Sequence, residues 1–148
     1  MKPLRKNIFI LFLLFTILNL VSLQVSANTT DLQISPRYLN MSNYTAVFSI
    51  TDPETAVVDV WYYGKEEVFS RAEITVKIQK KILVFWTDVD IGYANNVWTD
   101  SNTQVYGSFF NTFSINGAGK YRALITLKVF DALGSCDTIE MTREYEYK

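Results

Sequence analysis

Trp86, Asp88 and Asp90 stand two residues apart in the segment Phe85-Trp86-Thr87-Asp88-Val89-Asp90. In an extended strand this spacing puts one indole ring and two carboxylates on the same face. Such a face can stack on a sugar ring and hydrogen-bond its hydroxyls. The arrangement requires Leu83, Phe85, Val89 and Ile91 to point inward. The other parity, with Ile82, Val84 and Trp86 inside and a bulge before Val89, satisfies period two equally well. Sandwich cores commonly hold a buried Trp. Core filling is therefore the first expectation for Trp61, Trp86 and Trp98, ahead of a partner-binding patch and of carbohydrate contact.

The same segment also reads as Asp88-x-Asp90-x-Gly92, followed by Asn95, Asn96 and Asp100, a set of oxygen ligands suited to calcium. Val89 and Ile91 alternate with the carboxylates as a strand does, and no bidentate Glu closes the loop, so no metal site is expected. Glu66-Glu67, or Asp88 with Asp90, could serve as the acid and base of a glycosidase only across a groove of defined width. Surface carboxylates are mostly solvated. The chain contains no histidine, which removes Ser-His-Asp and Cys-His nucleophile systems, the usual zinc sites and the commonest base near neutral pH. A non-enzyme without cofactor is expected. Cys136 is the only cysteine; no internal disulfide can form, and the thiol is expected to be a small apolar residue within a strand.

The elements that must position these residues alternate with period two. Ala46, Phe48 and Ile50 share one face; Ala72, Ile74, Val76 and Ile78 form the cleanest stripe, opposite Arg71, Glu73, Thr75, Lys77 and Gln79. Tyr121, Ala123, Ile125, Leu127 and Val129 make another, and Ile139, Met141, Tyr145 and Tyr147 mark the last. Further strands are expected at Thr55–Tyr62, Ile82–Ile91 and Val105–Ile115. Turn chemistry separates them at Asp52-Pro53, Gly64 to Glu67, Gly92 to Asn102, Asn116 to Gly119 and Leu133 to Ser135. No stretch sustains a 3.6-residue period. About seven short strands at this spacing predict an all-β, antiparallel sandwich of immunoglobulin-like type.

The first 27 residues carry a different instruction. Lys2, Arg5 and Lys6 precede the apolar run Ile8 to Leu23, and Val25-Ser26-Ala27 is a small-residue cleavage signal, together a secretory signal peptide. Residues 28–43 are then a lead-in or edge strand, and residues 44–148 the sandwich. Removing 27 residues from 148 leaves 121, enough for one domain. The Lys and Arg count falls from 14 to 11 against 15 Asp and Glu, a net charge of −4, which argues against nucleic acid as a partner. No membrane contact is expected after cleavage. Asn28-Thr29-Thr30, Asn40-Met41-Ser42 and Asn43-Tyr44-Thr45 fit the N-glycosylation pattern, and are read as chance matches.

Gly119-Lys120-Tyr121-Arg122-Ala123 resembles the end of the immunoglobulin tyrosine corner, with Ala123 where antibody domains place a cysteine. The resemblance implies a structural role for Tyr121, its hydroxyl fixing the turn upstream. Over roughly Asn43 to Glu144, the succession Ile78-Gln79-Lys80-Lys81, Trp86, Val89, Gly119-Lys120-Tyr121-Arg122, Thr126 and Val129 resembles a family of small secreted Gram-positive (clostridial-type) proteins of unknown function. This chain departs from that pattern in having Ile82-Leu83-Val84 where a Gly or Asn turn is usual, and no second Trp soon after Val89. The resemblance implies an exported bacterial β-sandwich. The combined expectation is a secreted, non-catalytic module that binds an extracellular protein, or alternatively a carbohydrate-binding domain at a cell wall or matrix, with Trp86, Asp88 and Asp90 as the binding residues.

Overall fold

The computed structural model describes residues 38–148; the leader, the cleavage signal and Asn28 lie outside these residues. Within them the chain forms eight antiparallel strands: β1 (Met41–Asp52), β2 (Thr55–Gly64), β3 (Phe69–Ile82), β4 (Phe85–Asp88), β5 (Trp98–Asn102), β6 (Tyr106–Ser114), β7 (Gly119–Asp131) and β8 (Cys136–Tyr147). A 3₁₀ turn, Ala94–Asn96, lies between β4 and β5. One sheet has the order β1–β2–β6; in the other, β3 and β7 are central, β8 flanks β7, and β4 and β5 share the remaining edge of β3. Eight strands thus fill seven positions. The all-β sandwich read from the alternating stripes is the architecture observed.

Each stripe lands where period two puts it. Ala72, Ile74, Val76 and Ile78 are buried against Tyr121, Ala123, Ile125 and Leu127, while Ala46, Phe48 and Ile50 pack from the other sheet with Ala56, Val58 and Val60. Continuous burial of this kind is the chief stabilising term in a domain without a disulfide. Tyr121 is fully buried, and its hydroxyl donates to the carbonyls of Asn116 at 2.7 Å and Gly117 at 2.8 Å. That is the turn-fixing geometry expected of it.

Three local expectations are corrected. Ile82–Ile91 is not one strand: Ile82 pairs with Phe85, so Leu83 and Val84 form a two-residue hairpin turn. Neither parity considered for this segment holds at the turn, because Ile82, Leu83, Val84 and Phe85 are all exposed. Gly92 to Asn102 is not all turn, since Trp98–Asn102 rejoins β3 as β5, with Val76 opposite Trp98. The interruption follows from Gly92, Asn95 and Asn96, each at positive φ, where Gly and Asn are tolerated. Lastly, Cys136 is exposed rather than buried. It begins β8 on the outward parity, opposite Phe130.

The start of β1 is held by side-chain bonds. Asn40 is buried, donating both amide hydrogens, to the carbonyls of Val129 and Ser135 at 3.1 Å each. Asp137 accepts from the backbone N–H groups of Leu39 and Asn40. Arg143 points inward from β8 and donates to the carbonyl of Ala46 on β1 at 3.1 Å, tying the free edges of the two sheets together.

Candidate functional site

The outward residues of β1, β2 and β6 form a regular grid. Its rows are Ser49, Val57 and Thr112; Val47, Asp59 and Phe110; Thr45, Trp61 and Ser108; Asn43, Tyr63 and Tyr106. Alternation sends Ala56, Val58, Val60 and Tyr62 inward, and so forces Trp61 and Tyr63 out. Trp61 is 47% exposed, and Val47, Tyr63, Tyr106 and Phe110 are exposed as well. The rings of Tyr63 and Tyr106 meet across the strands with centroids 5.9 Å apart. At this end of the grid an open cleft of about 300 Å³ is lined by Trp61, Tyr63, Asn102, Gln104, Tyr106 and Ser108, with Tyr62 and Gly107 at its floor.

The floor is rigid. Tyr62 is buried between Phe69 and Phe109, with ring centroids at 6.0 and 5.5 Å, and its hydroxyl donates to the carbonyl of Gln104. Burial pushes its phenol up to about 12. A Cβ at Gly107 would stand 2.6 Å from that hydroxyl, so only glycine lets β6 approach here. Asn102 accepts from the N–H of Gln104 and so shapes the rim. The Tyr106 hydroxyl donates to Glu66, and that hydrogen bond raises the phenol. This is the contact the structure gives to the Glu66-Glu67 pair. None of the described residues lining the cleft is charged, and the ligating groups offered are aromatic faces, amides and hydroxyls.

Trp86, Asp88 and Asp90 lie elsewhere. Trp86 and Asp88 share the outward face of β4, as the spacing required, and Asp90 lies in the loop that follows, accepting from Gly92 N–H at 3.0 Å. Trp86 is half-buried beneath the Arg122 guanidinium, 4.3 Å from its ring centroid. Asp88 accepts from Lys77 at 2.8 Å and Gln79 at 2.7 Å, and Gln79 in turn accepts from Arg122. The two donors hold the Asp88 carboxyl below the usual carboxylate range. Both carboxylate oxygens of Asp88 and the face of Trp86 are thus already engaged by the protein. Trp98 is buried edge-on against Phe113, centroids 5.6 Å apart, and fills the core.

Sequence reasoning missed the aromatic grid, although the signal was present: Trp61 and Tyr63 have the parity opposite to Ala56, Val58 and Val60. Among the described residues no group of three or more acidic, Cys or His side chains is placed to hold a metal ion. No helix among them is long and apolar enough to cross a membrane. Comparison of the chain with models of protein families, with curated proteins and with solved structures returns no match.

Proposed function

We propose that this chain is an exported, non-catalytic module of immunoglobulin-like strand order that binds a neutral glycan along the outer face of β1–β2–β6. The observation that carries the reading is the exposed patch of Trp61, Tyr63, Tyr106 and Phe110 over three successive rows of a regular sheet, next to a cleft offering amides and hydroxyls. Aromatic faces stack on the apolar side of sugar rings, and neutral donors and acceptors match their hydroxyls. Two sequence features support the remainder: the tripartite leader for export, and the absence of histidine for a non-catalytic role. The strand order and the Tyr121 corner support the immunoglobulin-like assignment.

Size favours a glycan over a protein on this face. Four rows on three strands cover about 20 Å by 10 Å, well below the ~800 Å² that each partner gives to a standard protein interface. A chain of sugars needs only the long dimension. Exposed Val47 and Phe110 nonetheless extend the apolar area beyond the cleft, which favours a protein partner as the second reading.

A glycan array, followed by calorimetry on the retained sugar, tests the proposal. Trp61→Ala should fold normally and lose affinity by roughly tenfold or more, since aromatic contacts of this kind contribute about 0.5–1.5 kcal/mol beyond area burial. Trp86→Ala should bind as the parent does. Loss at Trp86 with retention at Trp61 would return the site to β4, and retention of a protein but no glycan, abolished by Phe110→Asp, would establish the second reading instead.

A further inference from the structure

The turn between β3 and β4 exposes a run of apolar residues. Leu83 is 88% exposed, Val84 75% and Phe85 71%, and Ile82 beside them is exposed too. Two-residue hairpin turns are ordinarily made with Gly, Asn or Asp, because they need positive φ. Here Leu83 occupies that conformation at φ 55°. An apolar side chain is thus held in a backbone state that disfavours it, at a place where it packs on little among the described residues. Scattered surface apolar residues are ordinary; four in succession at a projecting tip are not.

Beneath the tip the chemistry changes in order. Lys81 and Trp86 face each other one pair below Ile82 and Phe85, with Lys80 and Thr87 in the next pair. The Lys81 ammonium lies 6.0 Å and the Arg122 guanidinium 4.3 Å from the Trp86 ring centroid. Three ion pairs occur among the described residues, and none uses Lys80, Lys81 or Arg122. Lys80 donates to the Asn116 carbonyl and Arg122 to Gln79. The nearby acids stand in the same row as Arg122, in the order Asp88, Gln79, Arg122, Glu144 across the sheet. Asp88 is paired with Lys77 and Glu144 with Lys120, so Lys80, Lys81 and Arg122 remain outside the ion pairs.

We infer that this hairpin is a membrane-docking tip, inserting Leu83, Val84 and Phe85 between the lipids of an anionic bilayer while Lys80, Lys81, Arg122 and Trp86 sit at headgroup level. At about 3.3 Å per residue, the tip stands roughly 7–10 Å beyond Lys81 and Lys80. That matches the roughly 5–10 Å to which interfacial segments sink their apolar side. Trp, Lys and Arg are the residues that anchor at the membrane–water boundary. A flat protein partner would bury the tip but leave the ordered collar without a role. The inference goes beyond the glycan reading and runs against the expectation of no membrane contact after leader cleavage; it places a second binding surface at one end of the sandwich.

The test is co-sedimentation of the processed protein, recovered from the medium of a secreting host, with vesicles of phosphatidylglycerol and phosphatidylcholine or of phosphatidylcholine alone. The protein should pellet with the mixed vesicles and far less with the neutral ones. The pair Leu83→Gly and Val84→Asn, which suits the turn and should not lower the melting temperature, should cut binding by roughly tenfold or more. Lys80→Gln and Lys81→Gln should each cost roughly fivefold on mixed vesicles only. Equal sedimentation of the turn variant and the parent would overturn the inference, as would failure of the parent to pellet. A parent that is dimeric without lipid, and monomeric once the turn is changed, would assign the tip to self-association instead.

Discussion

The two outer faces of the sandwich arise from the same alternation and differ in what they leave unsatisfied. On β1–β2–β6 three successive rows expose Trp61, Tyr63, Tyr106 and Phe110 with one carboxylate, Asp59, among them. On the other sheet the outward residues are largely charged and already partnered: Arg71 with Glu73, Lys77 with Asp88, Lys120 with Glu144, and the Arg71 guanidinium over the Phe130 ring at 3.9 Å. Exposed ion pairs of this sort add little stability, but they keep a face wetted. Alternation decides which residues point outward. What they are decides whether the face stays in water or is free for something else.

The largest effect should come from removing what both faces share. Val76 is fully buried between Trp98 and Ile125 on its neighbouring strands, so Val76→Asp places an unpaired charge in the core and should cost more than about 4 kcal/mol. Both faces should be lost together, read as an insoluble chain or one without a cooperative melt. A soluble variant with an unchanged melting curve would sink the core assignment. A smaller, one-sided effect is expected at Gly107→Ala, whose added methyl meets the Tyr62 hydroxyl at 2.6 Å. Overpacking against a ring already held by Phe69 and Phe109 should cost roughly 1–3 kcal/mol. Glycan binding should weaken while the NMR signals of Lys77 and Gln79 stay in place; movement on both faces would show that they are not independent.

The smallest effects separate the faces by pH. The Asp88 carboxyl is held low by Lys77 and Gln79, so its contribution is present above the ordinary carboxylate range and is lost as pH falls through the lowered value. Its exposure limits this to at most ~0.5 kcal/mol, and Lys77→Gln or high salt should reduce it, leaving the part that Gln79 supplies. Tyr62 moves the other way. Burial raises its phenol from 10.0 to about 12, so its contribution is complete below pH 10 and is lost as pH climbs toward 12. Melting curves against pH should show an alkaline loss that is smaller in Tyr62→Phe than in the parent, because the raised phenols of Tyr38 and Tyr106 still contribute. Acid therefore tests the charged face and alkali the aromatic one.

The strands were legible because their stripes are long. Ala72 to Ile78 and Tyr121 to Val129 each repeat inward residues four or five times, and no helical period competes. The Tyr121 corner was legible for a different reason, its bond being made within a few residues of sequence. Ile82 to Asn102 was not legible. Its apolar residues run consecutively through Ile82-Leu83-Val84-Phe85, a pattern that period two cannot orient, and the rejoining of β5 to β3 depends on two left-handed Asn residues. The sugar-binding expectation moved from Trp86 to Trp61 because Arg122, seated over Trp86, comes from a strand 36 residues later. Sequence spacing sees parity along one strand but not what a neighbouring strand lays on top of it.

Asn40 settles a matter of manufacture. Its amide nitrogen is committed to two buried carbonyls, and there is no room beside Val129 and Ser135 for a substituent. Asn40-Met41-Ser42 is nevertheless a sequence that oligosaccharide transfer can recognise, and a sugar attached there would take one of the two donors and add a bulky, hydrated group. A molecule glycosylated at Asn40 cannot close the start of β1. An unmodified Asn40 is therefore a requirement of this fold, and a host that glycosylates the site would divide the product into molecules that can finish folding and molecules that cannot.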